Sequence, residues 1–298
     1  MENRWATVLG MQQEYLGAEP VVKPLTAAEK SEKIRQAGEI AQAHHFVFLG
    51  GLHRSGTTLL FRMLREHPAI SGFANNQDAN EWLAAEDEGQ YLQSVYPQAI
   101  YWGGPGKFAF APEAHLTEQS ELLTVENKAK LAIQWFPYWD LSKHFLLEKS
   151  PPNLIWTRFL QSAFPNSSFV IIERHPVAVS LATEKWSPTG LPSLIEHWLA
   201  AHETFEADRA HLRRVMTIKY ETMVSEPAPV LREIYAFLGV PPHPTSFEAT
   251  TEHNQRYFAQ WSELRKNPET SRVIEQCIDR WEARVRAFGY SLQDLEVR

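Results

Sequence analysis

Short apolar runs alternate with segments of helical spacing along most of the chain. Three of the runs have the length of buried strands, Phe46–Gly50, Phe145–Lys149 and Ser167–Ile172, and two weaker ones cover residues 69–73 and 215–220. Strands that alternate with helices favour a parallel sheet with helices on both faces. The pattern therefore predicts an α/β fold with three layers, in which a mostly parallel central sheet is flanked by helices.

Helices are predicted between these strands and at both ends of the chain. The first begins at a capping box, with Thr26 as the N-cap and Glu29 three residues later, and runs to about Ala43. The other predicted helices cover residues 59–64, 151–164, 176–186, 191–213, 227–238 and 269–288. Gly239 follows one of them and suits the left-handed residue that often ends a helix.

Residues 74–143 fit neither pattern, because they are loosely polar, rich in aromatic residues and interrupted by Gly103-Gly104-Pro105-Gly106. A long irregular insertion between regular elements often holds the residues that select a substrate. A plain helical excursion with a few packed rings explains the composition equally well. We predict one domain over residues 1–298, with residues 1–45 as an N-terminal helical preface and residues 74–143 as a specificity insertion.

A polar loop, residues 51–58, joins the first predicted strand to the helix after it. In such a unit, backbone N–H groups of the loop and of the first helical turn converge and form an anion site. The spacing Gly51-x4-Gly56 is one residue away from a Walker A loop, in which a lysine would occupy position 57. Thr57 stands there instead, and Arg54 supplies a positive charge inside the loop. The loop therefore suits a 5′-phosphate better than the outer phosphates of a nucleoside triphosphate.

The same loop resembles the 5′-phosphosulfate-binding loop of the sulfotransferases that use 3′-phosphoadenosine-5′-phosphosulfate (PAPS), where a lysine or arginine precedes Ser-Gly-Thr-Thr. The resemblance implies a P-loop, NTPase-like fold, with PAPS as co-substrate and 3′-phosphoadenosine-5′-phosphate (PAP) as product. It also implies that six residues of the loop bind the donor: His53, Arg54, Ser55, Gly56, Thr57 and Thr58.

Two later strand ends resemble the family's 3′-phosphate and adenosine sites. Arg174 ends one strand and Ser180 lies on the next helix, so that a planar fork and a hydroxyl could grip a second phosphate. The two residues are closer in sequence than is usual in the family, which makes Thr183 a second candidate. Tyr220 resembles the family's tyrosine that lies against the adenosine and 3′-phosphate, and its ring offers a flat apolar body with a polar tip.

Leu147–Pro151 resembles the Glu-Lys-Thr-Pro stretch of the carbohydrate and peptide branch of the family. Sulfuryl transfer needs cations near the bridging oxygen of the donor and a base near the acceptor hydroxyl. Lys149 and Arg54 are the predicted cations, and no divalent metal is required because the donor lacks a triphosphate. The C-terminal region lacks the Arg-Lys-Gly signature of the cytosolic aryl branch, so Arg256 and Arg265 are candidate substitutes for the 3′-phosphate contact.

The general base is predicted to be Glu88, because residues 87–92 resemble the pattern around the catalytic glutamate of one branch of the family. Asp87, Glu81 and His115 remain open as alternatives. A carboxylate base should be partly desolvated, so that its pKa rises toward the working pH. Several acidic residues are adjacent here, and a solvated acidic turn explains them nearly as well.

Together these resemblances predict a sulfotransferase that moves a sulfuryl group from PAPS to a hydroxyl of a small molecule or glycan by in-line displacement. Glu88 accepts the hydroxyl proton, while Arg54, Lys149 and the loop amides stabilise the charge that develops on the donor phosphate. Two alternatives stay open. One is a P-loop metabolite kinase, which would need a Walker lysine and a magnesium-holding aspartate at a strand end; the other is a non-catalytic adenine-nucleotide-binding protein.

Composition narrows the class of protein. The formal net charge of −7 disfavours a nucleic-acid-binding protein, whose surface would carry a basic face. The single cysteine, Cys277, excludes an intramolecular disulfide and a multi-cysteine metal site, and no metal is predicted. No apolar run approaches the ~18 residues of a membrane span and the N-terminus lacks a signal-peptide pattern, so we expect a cytoplasmic protein. The sequence does not set the oligomeric state.

Overall fold

The computed structural model describes residues 26–73, 88–247 and 252–295. Within them, five strands form one sheet: β1 (His45–Gly50), β2 (Ile70–Gly72), β3 (Phe145–Lys149), β4 (Ser167–Glu173) and β5 (Val215–Lys219). The strand order is β2-β3-β1-β4-β5, and every neighbouring pair is parallel. The predicted parallel sheet is confirmed.

The described segments also contain ten α-helices, several of which connect the parallel strands. They are α1 (Ala27–Ala43), α2 (Thr57–Arg65), α3 (Val125–Trp135), α4 (Thr157–Ala163), α5 (Pro176–Glu184), α6 (Leu191–Arg209), α7 (Tyr220–Ser225), α8 (Pro227–Leu238), α9 (Glu252–Lys266) and α10 (Ser271–Arg286). Every residue of β1, β3 and β4 is buried. Because alternate side chains of a strand point to opposite faces, both faces of the sheet are covered, and the predicted three-layer α/β fold is confirmed.

The sheet determines where the chain can build a site. Parallel strands end at one edge, and ligands of open α/β sheets bind outside those carboxyl ends. Here β1 lies between β3 and β4, with Leu49 opposite Lys149 and Val170. The loop after β1, the end of β3 and the residues that follow β4 and β5 are therefore neighbours, although they are far apart in sequence.

Some predicted boundaries were wrong. The helix predicted over residues 151–164 is a 3₁₀ turn, Pro151–Ile155, followed by α4. Two adjacent prolines lack N–H donors, and the Asn153 side chain donates to Leu49 O at 3.1 Å, which fixes the tight turn against β1. Tyr220 begins α7 rather than ending β5. The helix α9 was not predicted.

Local signals at helix ends were more reliable. Thr26 N donates to Glu29 Oε2 at 2.7 Å and Glu29 N donates to Thr26 Oγ1 at 3.3 Å, which confirms the capping box. Gly239 has φ 81° after α8, as predicted. Cys277 is buried on α10, and burial raises the pKa of its thiol to about 11, as suits a small packed hydrophobic residue. No helix in the described ranges is long and apolar enough to cross a membrane.

The described part of the insertion, residues 88–143, packs into the same core as the sheet. It consists of α3 and short 3₁₀ turns, and its Phe108 and Trp135 side chains are fully buried. Packed rings on helical turns are thus present in this segment. The single-domain boundaries and the role of the insertion in specificity stay predictions.

Candidate active site

The loop between β1 and α2 has a backbone that requires its glycines. Gly51, Arg54 and Gly56 have φ values of 150°, 69° and 102°. A Cβ on Gly51 would lie 2.5 Å from Ile172 O, and a Cβ on Gly56 would lie 2.5 Å from the Tyr220 ring. Ser55 closes the turn by donating its hydroxyl to Leu52 O at 2.6 Å. The loop thus reaches the start of α2 as an anion-binding turn, with Tyr220 packed directly against it.

A cavity of about 200 Å³ opens beside this loop, at the carboxyl edge of the sheet. Residues from the loop, the insertion, β3, the turn after it and α5 form its wall. They are His53, Arg54, Thr57, Thr58, Glu88, Pro105, Lys149, Pro151, Thr183 and Trp186. The structure therefore brings together the predicted cations, the predicted base and four residues of the loop.

Lys149 and Glu88 form a buried ion pair at the cavity wall. Lys149 Nζ lies 3.0 Å from Glu88 Oε1, and the two side chains are 1% and 5% exposed. Gln90 Nε2 donates to the other carboxylate oxygen, Glu88 Oε2, at 2.6 Å. Glu88 is thus not part of a solvated acidic turn. Burial of a charge is costly unless it is paired and hydrogen-bonded, and here both conditions are met.

A second buried carboxylate, Glu148, lies beneath this pair. It accepts hydrogen bonds from Gly89 N at 2.8 Å, Ser150 Oγ at 2.6 Å and Asn153 Nδ2 at 2.5 Å. Burial raises the pKa of Glu148 to about 7, against the effect of these hydrogen bonds. Sequence reasoning gave Glu148 no role. Its partners lie on segments distant in sequence, and the only signal was its position next to Lys149.

Arg174 connects the loop to the C-terminal helices. Its Nε donates to Asn254 Oδ1 at 2.8 Å and its Nη1 donates to Arg54 O at 2.7 Å. The guanidinium carbon lies 4.2 Å from the centroid of the Tyr220 ring. Its Nη2 is buried and has no hydrogen-bond partner among the described residues. An unsatisfied buried donor of this kind is costly, which favours an anionic ligand at this position.

Three cations surround the ring of Tyr257 on α9, and we call this group the Tyr257 cluster. Arg174, Lys185 and Arg256 lie 5.8, 5.4 and 5.0 Å from the ring centroid. None of the three forms an ion pair with a carboxylate among the described residues. Positive charge concentrated in this way suits a multiply charged anion. Arg256 was a candidate for this contact from the sequence, whereas Lys185, Tyr257 and Asn254 were missed.

The other candidate for the C-terminal contact, Arg265, lies at the end of α9. It donates to Glu275 Oε1 at 3.1 Å and to Gln293 O at 3.0 Å. Its guanidinium is therefore engaged in a surface ion pair away from the Tyr257 cluster, and the sequence-based suggestion for Arg265 finds no support in its contacts.

The two hydroxyl candidates on α5 occupy different positions. Thr183 lines the main cavity together with Arg54 and Thr58. Ser180 lines a smaller adjoining space with His53 and His197, and its hydroxyl is buried without a hydrogen-bond partner in the described segments. The geometry thus gives Thr183 direct access to the main cavity.

Neither His53 in the loop nor His115 in the insertion is placed as a base: the first is held neutral and the second does not line the cavity. Burial lowers the pKa of His53 to about 4, with Lys149 acting in the same direction and Glu88 against it. His115, one of the alternatives for the base, pairs with Asp208 Oδ2 at 2.7 Å on α6 and is not among the residues that line the cavity. The remaining alternatives, Asp87 and Glu81, lie outside the described residues.

A family model described as "Sulfotransferase family" matches residues 47–244. Protein-tyrosine sulfotransferase 2 of Gallus gallus is 26% identical over 209 residues, which are 65% of this chain and 51% of that protein. Protein-tyrosine sulfotransferase of Drosophila melanogaster is 27% identical over 216 residues, covering 65% of this chain and 38% of that protein. The chain thus spans about half or less of the length of these relatives.

Among solved structures, a sulfotransferase from Mycobacterium tuberculosis H37Rv superimposes on 78% of this chain and 76% of its own, at 19% identity and a TM-score of 0.44. The matched segment of the family model contains the loop, Glu88, Lys149, Arg174 and Tyr220. It ends before α9, which supplies Asn254 and the ring of the Tyr257 cluster.

Proposed function

We propose that this chain, which belongs to the sulfotransferase family, transfers a sulfuryl group from PAPS to a hydroxyl group of an acceptor. The observation that supports the proposal is a pair of linked regions, each of which suits an anion. The loop after β1 forms one, the Tyr257 cluster forms the other, and Arg174 joins them by donating to Arg54 O at 2.7 Å. PAPS has two separate anionic groups on one adenosine, the 5′-phosphosulfate and the 3′-phosphate, and so requires two such sites.

Ring contacts also favour an adenosine nucleotide. Tyr220 packs against Gly56 of the loop and against the Arg174 guanidinium. Its ring thus contacts one residue of the loop and Arg174 of the Tyr257 cluster, which supports a ligand that carries an anion at each. Trp186 at the cavity wall lies 5.5 Å beneath the Arg54 guanidinium and adds a second flat surface.

In the proposed reaction, the acceptor oxygen attacks sulfur in line with the bond to the 5′-phosphate oxygen. The new S–O bond forms as that bond breaks, the acceptor proton goes to Glu88, and the electron pair leaves with the phosphate of PAP. Arg54, Lys149 and the loop N–H groups stabilise the negative charge that develops on the leaving phosphate. The products are a sulfate ester and PAP.

The ion pair between Lys149 and Glu88 suits both roles. Before the donor binds, the two buried charges compensate each other at the cavity wall. A negative phosphosulfate at the loop attracts the Lys149 ammonium, and this leaves Glu88 to accept a proton from the acceptor. The base and the leaving-group cation are thus supplied in contact with one another, on the edge where the two substrates meet.

The acceptor is proposed as a hydroxyl of a small molecule or glycan. The names of the two curated relatives add the hydroxyl of a tyrosyl side chain to the acceptors that should be tested.

A cytoplasmic location stays a prediction. Within the described residues, no group of three or more His, Cys, Asp or Glu side chains is arranged to hold a metal ion.

Calorimetric titration with PAP, beside ATP with magnesium, tests the donor site. We expect PAP to bind and Arg54→Ala and Arg174→Ala each to weaken it by at least about tenfold, equivalent to about 1.4 kcal/mol. Arg265→Ala is the matched control, because that arginine lies in an ion pair outside the site. Preference for ATP with magnesium would favour the kinase alternative. PAP binding without turnover of PAPS on a broad acceptor panel would favour the non-catalytic alternative.

A further inference from the structure

The buried carboxylate of Glu148 has no part in the reaction proposed above, yet it contacts the segment that carries Glu88. We infer that Glu148 is a positioning residue that fixes Glu88 against Lys149 by holding the backbone of Gly89 and Gln90. This inference rests on the proposed function, because it assigns Glu148 a task only if Glu88 is the base.

Glu148 contacts the backbone of Gly89 directly. Gly89 N donates to Glu148 Oε1 at 2.8 Å, across 59 positions of sequence. A Cβ on residue 89 would lie 2.6 Å from Glu148 Cγ and Oε1, so the backbone rests on the carboxyl group and only glycine fits. On its other side, Gly89 O accepts from Trp135 Nε1 at 2.9 Å. The two peptide groups that flank Gly89, the first of them shared with Glu88, are thus each held by a buried side chain.

The Ser150 hydroxyl connects Glu148 to the backbone of Gln90. Gln90 N donates to Ser150 Oγ at 3.0 Å, and Ser150 Oγ donates to Glu148 Oε1 at 2.6 Å. The side chain of Gln90 then returns to the base, because its Nε2 donates to Glu88 Oε2 at 2.6 Å. Glu148 therefore reaches Glu88 by two routes, one through the Gly89 amide and one through Ser150 and Gln90.

The surroundings of Glu148 require a side chain that only accepts hydrogen bonds. All three groups around Glu148, the Gly89 amide, the Ser150 hydroxyl and the Asn153 amide, donate hydrogen bonds to it. A carboxylate only accepts, so it can satisfy all of them. A glutamine of the same shape that keeps its oxygen toward Gly89 and Ser150 presents its NH₂ group to Asn153 Nδ2, so this buried donor loses its partner.

Glu148→Gln, Ser150→Ala and Gly89→Ala test the inference by different changes to one set of contacts. Asp208→Asn is the matched control, because Asp208 is a buried carboxylate paired with Arg158 and His115 away from the cavity. We measure kcat and KM for PAPS, the affinity for PAP, and amide hydrogen exchange of a peptide that covers residues 88–92. Ser150→Ala leaves the buried carboxylate in place, so it keeps the test valid if Glu148→Gln fails to fold.

We expect Gly89→Ala and Ser150→Ala to lower kcat and to speed exchange of the 88–92 peptide by about tenfold or more, while the dissociation constant for PAP stays within about twofold. Glu148→Gln should change kcat and exchange in the same direction but by less, because its amide oxygen can still accept from Gly89 and Ser150. Asp208→Asn should change neither kcat nor that peptide. The inference would be overturned if the 88–92 peptide exchanged no faster in the site variants than in Asp208→Asn. It would also be overturned if the site variants lost affinity for PAP together with kcat. Exchange and PAP binding need no turnover, so an inactive wild-type protein would refute the proposed function and not the contacts of Glu148.

Discussion

The pKa of Glu148 makes a quantitative prediction about stability. Burial raises it from 4.5 to about 7 in the folded protein, and the side chain is fully buried. A raised pKa means that the folded state binds a proton more readily than the unfolded chain does between these two values. The free energy of unfolding contributed by this group therefore falls as pH rises from about 4.5 to about 7. A shift of this size corresponds to about 3 kcal/mol, a large part of the 5–15 kcal/mol of a typical domain.

The comparison of wild type with Glu148→Gln isolates this contribution, because glutamine does not titrate. Urea unfolding at pH 5 and at pH 8 gives the free energy of each protein, and other titrating groups cancel in the difference. We expect wild type to gain about 2–3 kcal/mol relative to Glu148→Gln on going from pH 8 to pH 5. A difference that is flat with pH would refute the reasoning. It would mean that the three donors keep the carboxylate ionised and offset the cost of its burial.

Three further predictions concern the anion sites and the ion pair. Gly56→Ala should abolish PAP binding detectable by calorimetry, with little change in the circular dichroism spectrum. The reason is that the new Cβ would lie 2.5 Å from the Tyr220 ring, at a residue with φ 102°. Unchanged affinity for PAP would contradict this close packing. Lys149→Met should lower the free energy of unfolding by about 3–5 kcal/mol, since it leaves Glu88 buried and unpaired. The double variant with Glu88→Gln should recover part of that loss in urea unfolding, and additive losses would count against the pair. Asn254→Ala should weaken PAP binding by about tenfold, because the Arg174 guanidinium loses the hydrogen bond that orients it. Equal affinity for PAP would show that Arg174 does not need this hydrogen bond.

The fold was predictable because its signals are local. Strands such as Phe145–Lys149 are short apolar runs, and the capping box at Thr26 lies within one turn, so neighbouring residues alone determine them. The loop after β1 was recognisable from its glycine spacing for the same reason. The helix α9 was missed although Tyr257, Trp261 and Leu264 follow a helical period, because most of its other residues are polar.

The candidate site was only partly predictable. Arg54 follows β1 and Lys149 ends β3, and the alternation of strands and helices places both at the ligand-binding edge. The task inferred for Glu148 depends on Gly89, which is 59 positions away, and the Tyr257 cluster depends on how α9 packs against α5. Such contacts are set by tertiary packing, and a single sequence contains no record of them.

The two anion sites differ in how the chain forms them. The loop after β1 is one contiguous stretch, whereas Arg174 and Asn254 meet across 80 positions of sequence. A bisphosphate that contacts both sites acts as a non-covalent cross-link between the sheet and the C-terminal helices. Unlike a disulfide, such a ligand leaves on unfolding, so it stabilises this contact by binding the folded state and not by restricting the unfolded chain. On the proposed donor site, a bound nucleotide is therefore expected to oppose detachment of the C-terminal helices, which lie beyond the segment matched by the family model.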